Sequence, residues 1–381
     1  MERSLVYLDH AATTPMRASA VEAMLPFLTE RFANPSGSYR FAHDARRAVD
    51  EARDAIAAVI GCRPGEIVFT GSGTEADNTV IAGGAVGMWP VCPAAEHHAV
   101  LHAVERAGGT VVAVDATGAV DLDALRGALS DDTSVVSVMA VNNEVGTITD
   151  LAAVAQVVRE SSPGALVHTD AVQAAPWLDL RHLWPHVDAL SLSAHKFGGP
   201  KGAGVMVLRE GTRVPPLLVG GGQERDRRSG THNVAGIVAT ATALVETDHT
   251  RDADAAAVRA RRDRLVAELV ALGGVHETVA PDRKVAGAAH ICVEGVESEA
   301  LLFLLDEAGV CASAASACAA GAMEPSHVLA AMGVDRALSR GALRLTLGHT
   351  TTDADIDRAV DVMSDAVVRL RRTPTLARTP S

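Results

Sequence analysis

The chain has 381 residues, a formal net charge of −13, 48% hydrophobic residues and only 3% aromatic ones. An acidic chain of this kind lacks the broad basic surface that drives nucleic-acid binding, and it is poorly suited to anionic membranes. Its 34 basic residues include just three lysines, Lys196, Lys201 and Lys284, so covalent chemistry through a lysine amine has three candidates.

The length exceeds what one core usually supports and implies two domains. No apolar run reaches the roughly 18–20 residues of a membrane span. The first nine residues lack the apolar core of a signal peptide. Five cysteines, an odd number without C-x-x-C pairs, suit a reducing cytoplasm.

In chain order, Asp44 stands as the cap of a helix whose apolar positions Ala45, Val49, Ala52, Ile56 and Val59 keep helical spacing, with Gly61 as its end. Strands are expected at 66–70, 110–114, 135–140, 166–169, 189–193 and 204–208. Helices are expected between most of them, at 74–84, 98–107, 122–129 and 151–160. This alternation means an α/β fold with a mainly parallel sheet. About ten Gly-rich residues separate the last two strands, too few for a parallel crossover of a dozen or more. Strand 204–208 is therefore expected to run antiparallel. A helix near 234–245 and a second at 252–272 follow. Shorter elements at 288–293, 298–308 and 342–347 belong to a smaller C-terminal domain, with the boundary near 255.

Gly71-Ser-Gly-Thr-Glu-Ala-Asp-Asn78 follows a strand and opens a helix, where glycines and N–H groups can receive an anion. It reads equally as a tight turn without ligand, or as a loose dinucleotide fingerprint. In Glu96-His97-His98-Ala-Val-Leu-His102 the i,i+4 histidines, with Cys92 nearby, lack the further ligand of a zinc set, so no metal is expected. A ring stacked on a flat cofactor and a plain helix-start histidine both remain open there. In Val167-His168-Thr169-Asp170-Ala-Val-Gln173 an acid closes an apolar strand; it can pair with a pyridine nitrogen or cap the next segment.

Ser191-Leu-Ser193-Ala-His195-Lys196 ends a strand against the Gly-rich run 198–204. Sites in such sheets form at the carboxyl ends of strands. A lysine kept there, in a chain that prefers arginine about ten to one, can lose its proton and form a Schiff base. Lys201 sits between glycines, and Lys284, in Pro281-Asp-Arg-Lys284, is expected to be solvated. Cys318 lies in a run of residues no larger than Ser or Cys (311–321), read as an Ala-rich packed helix or as a mobile loop presenting a thiol. Arg344, in an alternating strand, suits a carboxylate or an edge-strand salt bridge.

Together these segments resemble the cysteine desulfurases of the NifS/IscS-like group, pyridoxal-phosphate enzymes of the class V aminotransferase family. The likeness runs from Tyr7-Leu-Asp-His-Ala-Ala-Thr-Thr-Pro15 to Leu347-Gly-His-Thr-Thr351, through Asn34-Pro-Ser36, Val141-Asn-Asn-Glu-Val-Gly146, Gly220-Gly-Gly-Gln-Glu-Arg225, Arg228-Ser-Gly-Thr231 and Glu324-Pro-Ser-His-Val-Leu329. It implies the aspartate-aminotransferase type of fold (fold type I). Residues 14–255 would form a large cofactor-binding domain. Residues 1–13 and 256–372 would form a small domain carrying the cysteine loop, with 373–381 a mobile tail.

The resemblance implies pyridoxal 5'-phosphate as cofactor and L-cysteine as substrate. It implies Lys196 as the Schiff-base lysine, His97 stacked on the ring, Asp170 on the pyridine nitrogen and Gln173 on the ring oxygen. Gly73, Thr74, Ser193 and His195 would hold the phosphate, with Thr231 reaching over from the second subunit of a homodimer. Asn143 and Arg344 would grip the substrate carboxylate, and Cys318 would be the nucleophile that passes sulfur to an acceptor protein. The chain departs from the family pattern at Ala315 and Ala194, where Gly is usual, at Tyr39, where His is common, and at His349, where Arg is frequent.

The competing readings are a selenocysteine lyase or aminotransferase on the same cofactor, a nicotinamide-dependent oxidoreductase built on 71–76, and a non-catalytic scaffold for sulfur-transfer partners. The oxidoreductase reading leaves the Ser-His-Lys cluster unexplained.

Overall fold

The computed structural model describes residues 5–84, 87–314, 318–319, 322–323 and 326–372, with side chains for all of these except 318–319 and 322–323. The strands in chain order are β1 (Val6–Tyr7), β2 (Ile67–Thr70), β3 (Trp89–Pro93), β4 (Thr110–Val112), β5 (Thr133–Ser137), β6 (Leu166–Asp170), β7 (Ala189–Ser193), β8 (Gly204–Leu208), β9 (Val275–Glu277), β10 (Ala288–Val293), β11 (Val310–Cys311), β12 (Cys318–Ala319), β13 (Ala322–Met323) and β14 (Ala342–Thr346). The chain divides into two compact units, one of residues 11–143 and 147–253, the other of residues 1–10, 144–146 and 254–381.

The larger unit holds a seven-stranded sheet in the order β2-β8-β7-β6-β5-β3-β4. Strands β3 to β7 pair in parallel, while β8 is antiparallel to both β7 and β2. The short 193–204 connection thus behaves as its length requires. Strand β3 was not expected from the sequence. Pro90 cannot donate to a ladder and argues against an inner strand. The structure accommodates it with a register shift between Trp89 and Pro90 on the β5 side.

The helix Gly73–Gly84 lies across this sheet. Its Ala76 and Val80 pack with Val68, Val135, Ala189, Met206 and Leu208, all fully buried or nearly so. Glycines at both ends let it sit down on the strands. A Cβ at Gly84 would come 2.0 Å from Val135 Cγ2, and one at Gly73 would come 2.6 Å from Val172 Cγ2. The next helix, His98–Arg106, packs Val100, Leu101 and Val104 against Ile81 and Cys92, so Cys92 is a core residue.

The helix after Tyr39 begins at Arg40, so Asp44 lies one turn inside it and is not its cap; Gly61 ends it at φ +79°. The helices expected at 234–245 and 252–272 are one helix, Val234–Val270. Its middle is polar but holds neither Gly nor Pro between Gly236 and Gly273, so nothing breaks the hydrogen-bond ladder.

In the smaller unit β14, β10 and β9 form an antiparallel sheet, and β1 pairs in parallel with β11. Lys284 is a correction to the sequence reading. It is 2% exposed and ion-paired with Glu277, because its charged neighbours in sequence do not follow it into the interior. Among the described residues no helix is long and apolar enough to cross a membrane.

Candidate active site

The sheet of the larger unit brings the candidate residues together at one end of its strands. Asp170 is the last residue of β6, and Ser193 the last of β7, followed by a short 3-10 turn Ala194–Lys196. Strands β6 and β7 run in parallel with Asp170 opposite Ser191, so both ends open on the same side. The helix Gly73–Gly84 starts beside them: a Cβ on Gly73 would lie 3.4 Å from Ser193 Cβ. Its start presents the positive end of a helix dipole, with Thr74 exposed there. Asn78 ties this helix to the next by donating to Thr74 O and Ala99 O, each at 3.0 Å.

His97 caps the helix His98–Arg106. Its Nδ1 accepts from the N–H of Ala99 at 3.1 Å, which puts the proton of the neutral ring on Nε2. The imidazole is exposed. His98 and His102 stack on each other with centroids 4.6 Å apart. Among the described residues no group of three or more His, Cys, Asp or Glu is placed to hold a metal ion.

Residues 11–14, given no separate role by sequence reasoning, hold the lysine. Lys196 Nζ donates to Ala11 O at 2.5 Å and to Ala12 O at 3.0 Å, and Gln173 Nε2 donates to Ala11 O at 2.8 Å. His195 Nδ1 lies 3.1 Å from Thr13 Oγ1, and Thr14 Oγ1 donates to His195 O at 2.9 Å. These bonds place residues 11–13 in the larger unit, although the sequence reading put them in the smaller. The signal was there in Ala11-Ala-Thr-Thr14, which the family likeness covers.

The electrostatics centre on Asp170. Burial pushes its carboxyl up to about 6, opposed by the Val172 N–H, which it accepts at 2.9 Å, and by the charge of Lys196. Two further carboxyls, Asp77 and Glu96, are buried next to it. Burial drives both well above the usual range, and the charge of Asp170 adds to this. The group thus favours protons on Asp77 and Glu96, leaving Asp170 to carry the negative charge. Beneath them His168 lies fully buried between Ser137 Oγ (2.8 Å) and Ser191 Oγ (3.0 Å), and burial holds it neutral, down to about 3. Burial, then the charges of Lys196 and Lys201, bring His195 down to about 4. Sequence reasoning quoted Asp77 and Glu96 inside its motifs but assigned them nothing. Only the fold makes neighbours of residues 77, 96 and 170.

Asn143 is half-buried and Thr231 exposed. The segment before Thr231 is held by Arg228, which donates to Glu75 Oε1 at 2.8 Å. Arg344, in the smaller unit, is buried on β14 and ion-paired with Asp9 at 2.8 Å, so the salt bridge considered for it does form. Cys318 opens β12, which pairs with β13; its side chain and Ala315 lie outside the described residues, as does the tail at 373–381.

The aminotransferase class-V family model matches residues 6–359. The chain is 40% identical to the cysteine desulfurase IscS of Methanosarcina thermophila, over 98% of this chain and 95% of that one. It is 44% identical to the IscS-like cysteine desulfurase of Mycobacterium tuberculosis, over 98% and 99%. Among solved structures, a NifS-like protein superposes with a TM-score of 0.90 at 33% identity, covering 96% of this chain and all of that one.

Proposed function

This chain belongs to the class V aminotransferase family, and on that premise we propose that it is a pyridoxal-phosphate-dependent cysteine desulfurase. L-Cysteine becomes L-alanine, and its sulfur passes through Cys318 to an acceptor protein for iron–sulfur clusters or other sulfur-containing products. The observation that carries the reading is Lys196 just beyond β7, close to the buried Asp170 at the end of β6.

Two features suit the cofactor. Asp170 is a buried carboxylate whose charge a protonated ring nitrogen would balance. Gly73, packed against Val172 and Ser193 at a helix start, leaves room where a side chain would intrude. In this reading Gly73, Thr74, Ser193 and His195 hold the phosphate, joined by Thr231 of a second copy in a homodimer. His97 stacks on the ring, and Gln173 bonds its oxygen. Asn143 and Arg344 hold the carboxylate of the substrate. The cytoplasm is the proposed compartment, where thiols stay reduced.

Pyridoxal phosphate, when bound, supplies an electron sink for the pair left at the substrate's Cα. Lys196 Nζ, pre-oriented by Ala11 O and Ala12 O, takes the Cα proton. The Cys318 thiolate attacks the substrate sulfur. An S–S bond forms as the Cβ–S bond breaks, and the carbon fragment keeps that electron pair and is protonated to alanine. Cysteine and one thiol thus become alanine and one persulfide, with no external oxidant.

The test is incubation of the holoenzyme with L-cysteine, followed by mass spectrometry. The expected products are alanine without a keto acid, and one added sulfur on the peptide carrying Cys318. Cys318→Ser keeps the visible chromophore and loses sulfide release, whereas Lys196→Ala loses the chromophore. Sulfide release persisting in Cys318→Ser would refute Cys318 as the nucleophile, and a keto acid in place of sulfide would make the enzyme a transaminase.

A further inference from the structure

The proposed reading gives Arg344 the substrate carboxylate, and the present inference rests on it. An arginine suits that task only if its guanidinium is held in the right plane. The long side chain has many rotamers, and a substrate must otherwise overcome that entropy on binding. A buried guanidinium also needs its charge compensated before substrate arrives.

The smaller unit answers both needs. Arg344 is central in β14, in register with His290 of β10. On its other side its N–H donates to Ser313 O at 2.7 Å and its carbonyl accepts from Ser313 N at 3.2 Å. The backbone is therefore fixed from both edges. One terminal nitrogen of the guanidinium donates to Asp9 Oδ1 at 2.8 Å.

Asp9 is itself fixed. It bridges in parallel to Thr346, the Thr346 N–H donates to Leu8 O at 2.8 Å, and the Tyr7 hydroxyl donates to Asp9 O at 3.0 Å. A second carboxyl, Glu144, lies buried within the field of the same guanidinium. Burial carries it up to about 7, against the pull of the Ser326 hydroxyl and of Arg344. His290 Nε2 stands 3.9 Å from Glu144 Oε1, and its Nδ1 is 2.6 Å from Thr278 Oγ1.

We propose that Asp9 is a positioning residue for substrate recognition: it orients the guanidinium of Arg344 and balances its charge for the carboxylate of the amino-acid substrate, with Glu144 backing the same group. Five N–H donors in a planar fork allow one arginine to serve Asp9 and a substrate carboxylate together. Asp9 touches neither substrate nor cofactor in this arrangement. It acts through Arg344.

The experiment compares L-cysteine with cysteamine, which keeps the amine and thiol but lacks the carboxylate, on holoenzyme of wild type, Asp9→Asn, Asp9→Glu and Glu144→Gln. Binding is read as the change in the visible spectrum, and turnover as alanine. Loss of one charge-assisted hydrogen bond predicts a KM for L-cysteine about tenfold higher in Asp9→Asn, with kcat within about twofold. Cysteamine binding stays unchanged. Asp9→Glu recovers part of the loss, and Glu144→Gln shows a smaller rise in KM.

Equal weakening of both ligands, or a fall in kcat at constant KM, would make Asp9 merely structural and overturn the proposal. An unchanged KM overturns it as well. Should Asp9→Asn not fold, Asp9→Glu and Glu144→Gln carry the same comparison. Failure of the desulfurase reading shows separately, as wild-type enzyme that makes no alanine from cysteine, and it takes this inference with it.

Discussion

Arg53 and Glu224 are joined by two hydrogen bonds, Nη1 to Oε2 at 2.9 Å and Nη2 to Oε1 at 2.7 Å, with both side chains buried. Glu224 also accepts from the Phe69 N–H at 2.9 Å and contacts His232 Nε2 at 2.7 Å. This one carboxylate anchors a run in which Glu224, Arg225 and Asp226 all have positive φ, at 50°, 59° and 63°. Such backbone persists only where its surroundings over-determine it. The run precedes Thr231, the residue proposed to act in a second copy.

Glu224→Ala is therefore expected to cost about 3–5 kcal/mol, the penalty for leaving a buried partner charge uncompensated. Arg53→Met combined with Glu224→Leu recovers much of that loss. Urea denaturation of both variants against wild type checks it. The pH sign follows from the same bonds. Burial pushes the Glu224 carboxyl up, but His232, Arg53 and the Phe69 N–H together outweigh it and hold the group down to about 2, below its ordinary value of 4.5. Its contribution is complete above that value and is lost as pH falls from 4.5 toward 2. Glu224→Gln should lack this acid-dependent loss.

His168 gives the complementary case. Its folded value, about 3, lies below the ordinary 6.5 because of burial. Unfolded chains take up the proton below 6.5 and the folded chain does not, so wild type loses stability as pH falls through that range. His168→Gln has no proton to gain. Its stability relative to wild type should therefore rise as pH drops from 6.5 to about 4, measured as the difference in urea midpoint times slope. A constant difference across that range would contradict a buried neutral His168.

These groups also mark where the sequence was legible. The antiparallel β8 could be read from a connection too short to cross over. Lys196 stood out because the chain otherwise prefers arginine, and because it follows a strand. The positions of Asp170 and Arg344 within strands were equally visible. Strand β3 was hidden by Pro90, whose missing N–H is tolerated only through a register shift that no local pattern announces. The single helix Val234–Val270 was hidden by its polar middle turn. Lys284 was misplaced because charge in neighbouring residues says nothing about where the fold buries one side chain. Asp77 and Glu96 are local in no sense: each meets Asp170 only after the parallel sheet has formed.

Gly73 tests the packing of the cofactor end. It has no Cβ, and one built there would lie 2.6 Å from Val172 Cγ2 and 3.4 Å from Ser193 Cβ. Gly73→Ala forces the helix start away from β7, or Val172 out of place. Overpacking of this kind costs about 1–3 kcal/mol, and it acts where the phosphate is proposed to sit. The expected result is weaker pyridoxal-phosphate retention on dialysis, with a modest fall in melting temperature. Gly127→Ala, at a helical glycine with nothing within 4 Å of the added carbon, serves as the control and should retain the cofactor.

Lys284 and Glu277 form an ion pair inside the smaller unit, and the lysine side chain is fully buried. Arg262, also fully buried, adds a second positive charge that is itself paired with Asp263 at 2.6 Å, and its Nη1 donates to Ala288 O at 3.1 Å. Burial outweighs the attraction of Glu277, so the ammonium is held below its ordinary 10.5. Removing either partner is not equivalent. Glu277→Ala leaves a buried ammonium facing a guanidinium and should cost about 3–5 kcal/mol. Lys284→Met keeps the volume of the stem and leaves Glu277, whose side chain is 16% exposed and can be hydrated, so it should cost less. The pH dependence separates this from a packing effect. With Glu277 gone, the folded chain resists protonating Lys284 while the unfolded chain accepts the proton below 10.5. Stability of Glu277→Ala relative to wild type should therefore climb as pH rises from 7 toward 10, whereas a simple cavity would give a pH-independent deficit.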